Sequence, residues 1–531
     1  MEKYWLKPSI CFEPLVCSWY ASAHLVSPTT AGLILNKRFL KILRSFITYP
    51  ELHQQASAEK QLSGGAFVNL SNHTVVDVKN LYSQILENRQ DLIQLSEAID
   101  GLNLLLEQTA TGNSLEQIYF KIPKFLAGCV ELVYDMNHNP SIRFIESFIY
   151  HKYYDKSSQT ILLSPLESDK RSFILSTPRF PNPKDVHLQV SFDDSVIDLL
   201  CRSRRHGVSL NELRQNLNLS AKCNENFEAL FNNIPPSSFN QKYNGEDIKV
   251  RYFGHACVLI ETKNISLLID PLIAYDKGDE RFTFLDLPNF IDYVLITHSH
   301  QDHFSLETLL QIRHQVRYIV VPDNNSGFIA DPGLEYILKH IGFQSIITLK
   351  EMEKITTNEI EITGVPFLGE HGDLNIQTKL AYHIKIYDKS FLFAVDSNNL
   401  DINLYHMLMA MIGPVNMLFI GMECVGAPFS WAYGALFHKP IKREDDQSRR
   451  LSGSNAEKVW QIITAIQCTK VVVYAMGQEP WLHHIMGLEY SKDSTQLIEA
   501  KNLLKKCSEF SMDAEMPFGK REWIVKKTNK D

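Results

Sequence analysis

The run VLITHSHQDHF, Val294 to Phe304, sets three histidines and an aspartate within six residues directly behind an apolar, β-like segment. An extended backbone turns His298 and His300 to the same side, and the turn that follows brings Asp302 and His303 round to a second position. One loop thus offers ligands to two neighbouring metal ions. A lone histidine is more often a hydrogen-bonded core or surface residue, but four ligand-type side chains in six positions leave little room for coincidence. The chain must fold so that a strand ends at a metal-binding edge.

With 531 residues, two or more cores are expected, since single cores stop growing near roughly 250–300 residues. Apolar residues at 44% and charged residues at 21% are ordinary for a globular protein. A net charge of −8 supplies no field for nucleic acid, and no local basic patch stands out, so no nucleic-acid partner is expected. The nine cysteines, Cys223 among them, are odd in number, scattered and never spaced C-x-x-C. This argues for a reducing, cytoplasmic setting and against a disulfide framework or a cysteine zinc site. MEKYWLKPSICFEPLV lacks the apolar run of a signal peptide, and no window reaches the roughly 18 apolar residues of a membrane span.

Residues 1–245 and 246–531 differ in texture and are expected to form two domains. In the first, Ser27-Pro28 opens a helix through TTAGLILNKRFLKILRSFI, with Leu33, Leu35, Leu40 and Leu43 at near-helical spacing. A helical run follows from about Val75 to Gln108, and a second from Leu115 to Asp135 with Pro123 as its kink or break. TILLSPL, SFILSTP and VHLQVSF read as strands between turns, so the domain is α+β. Two short helices around Gly207, within Asp193–Asn218, have the outline of a helix-turn-helix. With only Arg202, Arg204 and Arg205 to neutralise phosphate, packing is their expected role. Asn232–Asp247, rich in Pro, Ser, Asn and Gly, reads as the linker.

From Ile248 short β-runs dominate: KVRYFGHACVLIET, ISLLIDP, YVLITHSH, RYIVVP, SIITLK, EIEITGVPF, LAYHIKIY, SFLFAVDS, MLFIGM and KVVVYAM, with helices such as SLETLLQIRH and GLEYILKHI between them. Many strands with interspersed helices predict a four-layer sandwich, sheets inside and helices outside.

H-x-H-x-D-H behind a strand, with GHACVLIETKNISLLIDP upstream, resembles the metallo-β-lactamase superfamily. The resemblance implies an αβ/βα sandwich with a dinuclear metal site at the sheet edges. It also implies further ligands: a residue from a later loop, here Glu370 or His371 in GVPFLGEHGD; a bridging carboxylate, here Asp396 at the end of SFLFAVD; and a last histidine, where this chain has Gly477. Glu479, His483 and His484 follow a few residues later, out of register for a direct replacement. A site poorer in imidazole and richer in hard carboxylate oxygen suits iron that must bind oxygen.

Essentially the whole chain, including the large N-terminal half and EPLVCSWYASAHLVSPTTAGL within it, resembles the metallo-β-lactamase-fold diiron β-hydroxylases, the family that includes the aminoacyl-carrier-protein β-hydroxylase of chloramphenicol biosynthesis. In that family a glutamate stands at the third ligand position. On this resemblance His298, His300, Glu370 and Asp396 would hold one iron and Asp302, His303 and Asp396 the other, with Glu370 and Asp396 central to catalysis. It implies a monooxygenase that takes O2 as cosubstrate and electrons from an external electron-transfer protein. The implied substrate is an amino acid tethered as a thioester to a nonribosomal peptide synthetase carrier domain and hydroxylated at Cβ in antibiotic biosynthesis. The carrier is then a partner as well, and the N-terminal domain is expected to dock it or to build a homodimer.

Two other readings stand beside this one. A dinuclear zinc hydrolase, of lactonase or phosphodiesterase type, would use His371 in place of Glu370. A degenerate, noncatalytic binding module would have no need of the clustered ligands. His255 is expected either to support a ligand or to bond a turn, and Asp270, on the same resemblance, to steady the histidine loop. Glu423, Trp431 and Tyr433 are candidates for lining a pocket, and IKREDDQSRRLSGSN for a solvated loop. Phe367, Leu368, Phe429 and Trp431 lean toward an apolar or aromatic substrate side chain.

Overall fold

The computed structural model describes residues 2–528 except 60–61, 63–64, 71–73, 218, 220–223, 237–241, 279, 325 and 488. Asn218, Cys223 and part of the Asn232–Asp247 linker therefore lie outside the described residues.

Two seven-stranded sheets form the second half of the chain. In one, Ile248–Tyr252, Val258–Glu261 and Ser266–Ile269 make an antiparallel meander that Ile291–Leu295, Val316–Pro322 and Ile346–Leu349 extend in parallel, with Arg521–Val525 at the far edge. The other runs from Lys354–Thr356 through Ile360–Val365, Ala381–Ile386 and Lys389–Val395 to Met417–Gly421, Lys470–Tyr474 and Asp513–Glu515. Strand alternation decides what each face buries. Ile260, Leu267, Ile269 and Leu295 meet Ile384, Phe391, Phe393 and Phe419 between the sheets, while Leu259, Leu268 and Val294 point to the opposite face. Helices Ile402–Ile412, Ala456–Ala465 and Thr495–Glu509 cover the second sheet. This is the expected αβ/βα sandwich, and each β-run singled out in this half contains a strand.

The first half is α+β. Ile10–Val16 and Gln159–Pro165 pair at the centre of a four-stranded sheet edged by Trp19–Tyr20 and Val186–Leu188. The helix opened by Pro28 reaches Thr48 through a π-helical turn at Leu35–Phe39, and its four spaced leucines are buried.

Three expectations need correction. The run from Val75 to Gln108 is two helices, Val75–Asn88 and Gln90–Thr109, because Arg89 leaves helical geometry (φ −125°, ψ 35°) to bond Asp91 and Ser158. Leu115–Asp135 is not a helix: a 3-10 turn at Glu116–Lys121 stops before Pro123, and Val130–Tyr134 pairs with Pro140–Phe144 as a hairpin. SFILSTP is a turn, with the Thr177 N–H folded back onto the Phe173 carbonyl. The helices Ser195–Arg202 and Leu210–Leu217 do flank Gly207, where a Cβ would meet Trp5 at 2.6 Å. Arg204 and Arg205 turn inward onto the carbonyls of Ile10 and Leu287, so these side chains pack.

The two halves share one apolar core, in which Phe12, Leu33 and Leu95 join Leu259, Leu268, Leu309 and Ile337. Beside it lies a buried ion network. Glu13 holds Arg171 and Arg179, each at 3.1 Å, Arg171 also meets Glu307 at 2.9 Å, and His484 Nε2 lies 2.6 Å from Arg171. Removing one member strands the remaining charges. Arg171→Ala is expected to cost about 3–5 kcal/mol, read as an earlier midpoint of denaturant unfolding.

Candidate metal centre

The site gathers where strands of both sheets end. Asp270 closes Ser266–Ile269 in left-handed geometry (φ 40°) and is fully buried. It accepts the Thr297 N–H (2.8 Å), the Thr297 hydroxyl (2.6 Å) and His303 Nδ1 (2.9 Å), fixing both ends of the histidine loop with one carboxylate. Burial pushes its pKa up against those bonds.

These bonds also set which nitrogen each ring turns inward. His303, with Nδ1 committed to Asp270, presents Nε2 at 2.8 Å from Asp396 Oδ2 and 3.5 Å from Asp302 Oδ2. The Thr297 hydroxyl donates to Asp270 and so accepts from His298 Nδ1 at 3.0 Å. His298 Nε2 then faces Glu370 Oε2 at 3.7 Å and Asp396 Oδ2 at 3.9 Å. His300 meets Glu370 Oε1 through Nδ1 at 2.8 Å and the Tyr433 hydroxyl through Nε2 at 3.0 Å. Asp302 bonds His255 Nε2 at 3.1 Å, and His255 Nδ1 accepts the Gly477 N–H at 3.2 Å.

Three overlapping groups result: His298, His300, Glu370 and His371; His255, Asp302 and His303; and His298, His303 and Asp396, the donor atoms of each lying within 4.8 Å of one another. All six residues expected at the centre are brought together. Glu479, His483 and His484 are not among them. Glu479 takes the Tyr252 hydroxyl and the His255 N–H, His483 lies 4.0 Å from Glu489, and His484 belongs to the Arg171 network. His255, expected to do one or the other, bonds both the turn at Gly477 and the Asp302 carboxylate. His255→Ala is expected to weaken metal binding roughly 10–100-fold, measured by anaerobic Fe(II) titration.

Burial disfavours a charged His303, yet Asp302, Asp396 and Asp270 outweigh it and hold the ring's pKa well above its usual value. Burial and neighbouring imidazoles hold His298 and His371 well below theirs. Asp302, though buried, is kept well below the usual carboxylate range by His303 and His255, while burial pushes Glu370 up to about 7 against His300. His298 Nε2, His303 Nε2, Glu370 Oε2 and His371 Nε2 are buried without a hydrogen-bond partner. Each such atom left unsatisfied costs roughly 1–3 kcal/mol. A pair of divalent cations would satisfy them, and the mixture of imidazole and carboxylate fits iron.

A cavity of about 170 Å³ reaches this centre. Tyr20, His24, Arg38 and Phe39 form one wall and Glu423, Trp431 and Met486 another. The N-terminal wall was missed from sequence, although the stretch EPLVCSWYASAHLVSPTTAGL that carries Tyr20 and His24 had been singled out. Tyr433 is buried against His300 instead of lining the cavity. Of the apolar candidates Trp431 lines it; Phe367 packs edge-on to His298 at 5.7 Å, and Phe429 is covered by the Arg449 guanidinium at 4.5 Å. Gly477 has φ 64° and a Cβ there would come within 2.6 Å of Met486 Cε.

Fold and clustered donors together define a metallo-β-lactamase-fold metalloprotein. A model for the diiron non-heme beta-hydroxylase N-terminal domain matches residues 5–235, and one for a beta-lactamase superfamily domain matches residues 249–421. The 4-amino-L-phenylalanyl-[CmlP-peptidyl-carrier-protein] 3-hydroxylase of Streptomyces venezuelae is 34% identical over 512 residues, 95% of this chain and 96% of that protein. The crystal structure of CmlA, a diiron beta-hydroxylase from the same species, matches with a TM-score of 0.93 at 33% identity, covering 99% of this chain and 100% of that one. A metal-dependent hydrolase of Lysinibacillus sphaericus is 27% identical over 95 residues, 18% of this chain and 40% of that protein. The chain belongs to the diiron non-heme β-hydroxylases. It is a hydroxylase of that family, which sets the zinc hydrolase reading aside.

Proposed function

We propose that this chain is an O2-dependent diiron monooxygenase that hydroxylates Cβ of an amino acid held as a thioester on a nonribosomal peptide synthetase carrier domain, within natural-product biosynthesis. The observation that carries the reading is Glu370, whose Oε1 meets His300 while Oε2 stands unpartnered before His298, a carboxylate where a zinc hydrolase would present imidazole. The carrier-protein hydroxylase similar over its whole length supports the substrate class.

His298, His300, Glu370 and Asp396 would hold one iron, and Asp302, His303 and Asp396 the other. When bound, the ferrous pair supplies reductive activation of O2 and delivery of one oxygen atom to a C–H bond, with electrons from an external donor protein. The chain's own task is positioning and exclusion of water. Asp270 and Thr297 hold His298 and His303 in the tautomer that leaves Nε2 free, Tyr433 fixes the His300 ring, and His255 aims Asp302. Leu25, Phe39, Trp431 and Ile485 give the cavity apolar walls that suit an apolar or aromatic side chain. Glu423 is tied back by Tyr490, Gln496 and the Gly426 N–H, which keeps its carboxylate in the wall.

Residues 1–245 and 246–531 are read as two domains, the first supplying one wall of the cavity and a docking face for the carrier or for a second copy. Among the described residues no helix is long and apolar enough to cross a membrane, and the proposed setting is cytoplasmic. The test is metal analysis of anaerobically purified protein, followed by mixing the reduced form with isotopically labelled oxygen gas and an aminoacyl-loaded carrier. Iron with labelled hydroxyl on the carrier-bound amino acid is expected; zinc with lactone hydrolysis would overturn the proposal.

A further inference from the structure

We infer that Arg38 is an anion-binding residue in the wall of the substrate cavity, and that the anion it takes is the phosphodiester of the phosphopantetheine arm on which a carrier domain presents its amino acid. This assignment rests on the proposed function and adds to it the part of the substrate that the N-terminal wall recognises.

Arg38 lies in the π-helical turn Leu35–Phe39, a geometry that recurs at functional sites. Its neighbour Lys37 is engaged by Asp100 at 2.6 Å. The Arg38 guanidinium has one hydrogen bond, from Nη1 to the Trp431 carbonyl at 2.6 Å, and among the described residues no carboxylate pairs with it. Desolvation alone acts on its pKa, lowering it to about 10, so the group stays cationic at neutral pH with no neighbouring charge to offset it. Arginines elsewhere in the interior are better matched. Arg179 meets Glu13 at 3.1 Å, Arg251 meets Glu261 at 2.7 Å, and Arg204 spreads over the carbonyls of Lys7, Pro8 and Ile10 and the Gln311 amide oxygen.

Arg38 lines the same cavity as Ile34, Phe39 and Trp431. None of its nitrogens is buried without a partner, so the N–H groups that Trp431 does not use keep open access. Four carboxylates line the cavity, and each is engaged elsewhere. Asp302, Glu370 and Asp396 belong to the clustered donors of the metal centre, and Glu423 is tied back by Tyr490, Gln496 and the Gly426 N–H. A guanidinium set in an apolar wall without an anion costs stability, and its planar fork matches the oxygens of a phosphate or carboxylate. The apolar or aromatic side chain proposed for the substrate brings no charge. The arm does, because its phosphodiester carries a negative charge on every loaded carrier. Gripped there, away from the reacting carbon, the substrate gives up binding energy that orients the amino acid at the metals.

The test measures binding by the full chain of two phenylalanyl-pantetheine analogues, an amide replacing the thioester in both, one with and one without the arm's phosphate. Wild type should bind the phosphorylated compound roughly tenfold more tightly than the other. Arg38→Gln should lose that preference, with KM for the loaded carrier raised and kcat little changed, and Arg38→Lys, which keeps the charge, should retain part of it. A strut that only held Trp431 in place would weaken both compounds alike. A wild-type chain that hydroxylates no loaded carrier overturns the proposed function and this assignment with it. Hydroxylation by a wild type that binds the two compounds equally, or binds neither, overturns this assignment alone, as does a preference that Arg38→Gln keeps.

Discussion

Glu370→Ala is expected to abolish hydroxylation of the carrier-bound amino acid and to loosen one metal by more than the roughly 10–100-fold that loss of a supporting residue costs. The side chain makes the 2.8 Å contact to His300 and turns its second oxygen toward His298, so alanine removes the only carboxylate in the group formed by His298, His300 and His371. Iron per chain and product per turnover are the measurements. Full iron content with full turnover in the variant would mean that His371 alone fills the third position. Glu370→Gln separates charge from shape: the amide keeps the length of the side chain while removing its anion, so a metal loss as large as alanine's would place the effect on charge.

Asp396→Asn is expected to be more severe still. Asp396 ends Lys389–Val395, and its Oδ2 lies 2.8 Å from His303 and 3.9 Å from His298, between the two donor groups. Gly421 on the neighbouring strand leaves it room, because a Cβ there would meet Asp396 Oδ1 at 2.6 Å. An amide offers one carbonyl oxygen, which cannot span two cations, and it removes one of the carboxylates that hold the His303 pKa up. Iron content should fall further than in Glu370→Ala. A variant retaining both irons would show that the centre does not depend on this carboxylate as a bridge.

The histidine loop was legible because strand periodicity and ligand spacing lie in one short segment, and the long apolar β-runs because a strand buried on both faces is apolar throughout. In the second half the seven-stranded sheets' strands that escaped notice, Lys354–Thr356, Asp513–Glu515 and Arg521–Val525, are sheet edges, short and charged as exposed edges tend to be, whereas in the first half the buried central strand Ile10–Val16 escaped too. Leu115–Asp135 was misread because a brief apolar alternation fits helix and strand alike; Asp135, which accepts the N–H groups of Asn137 and Asn139, decides for a hairpin. Glu370 was preferred to His371 on the resemblance alone; that both side chains reach the same donor group depends on left-handed backbone at the loop, which a linear reading does not carry. So was the cavity wall of Tyr20, His24 and Arg38, which exists only once the two halves share a core.

Gly477 carries a lesson about how reversible such a site is. A histidine there would have to adopt φ near 64° and push into Met486, itself part of the cavity wall. Because the atom met is the end of a flexible methionine side chain, a new Met486 conformation could make room, and that movement would reshape the cavity wall. The left-handed backbone at Gly477 and the shape of the cavity are therefore coupled through one methionine.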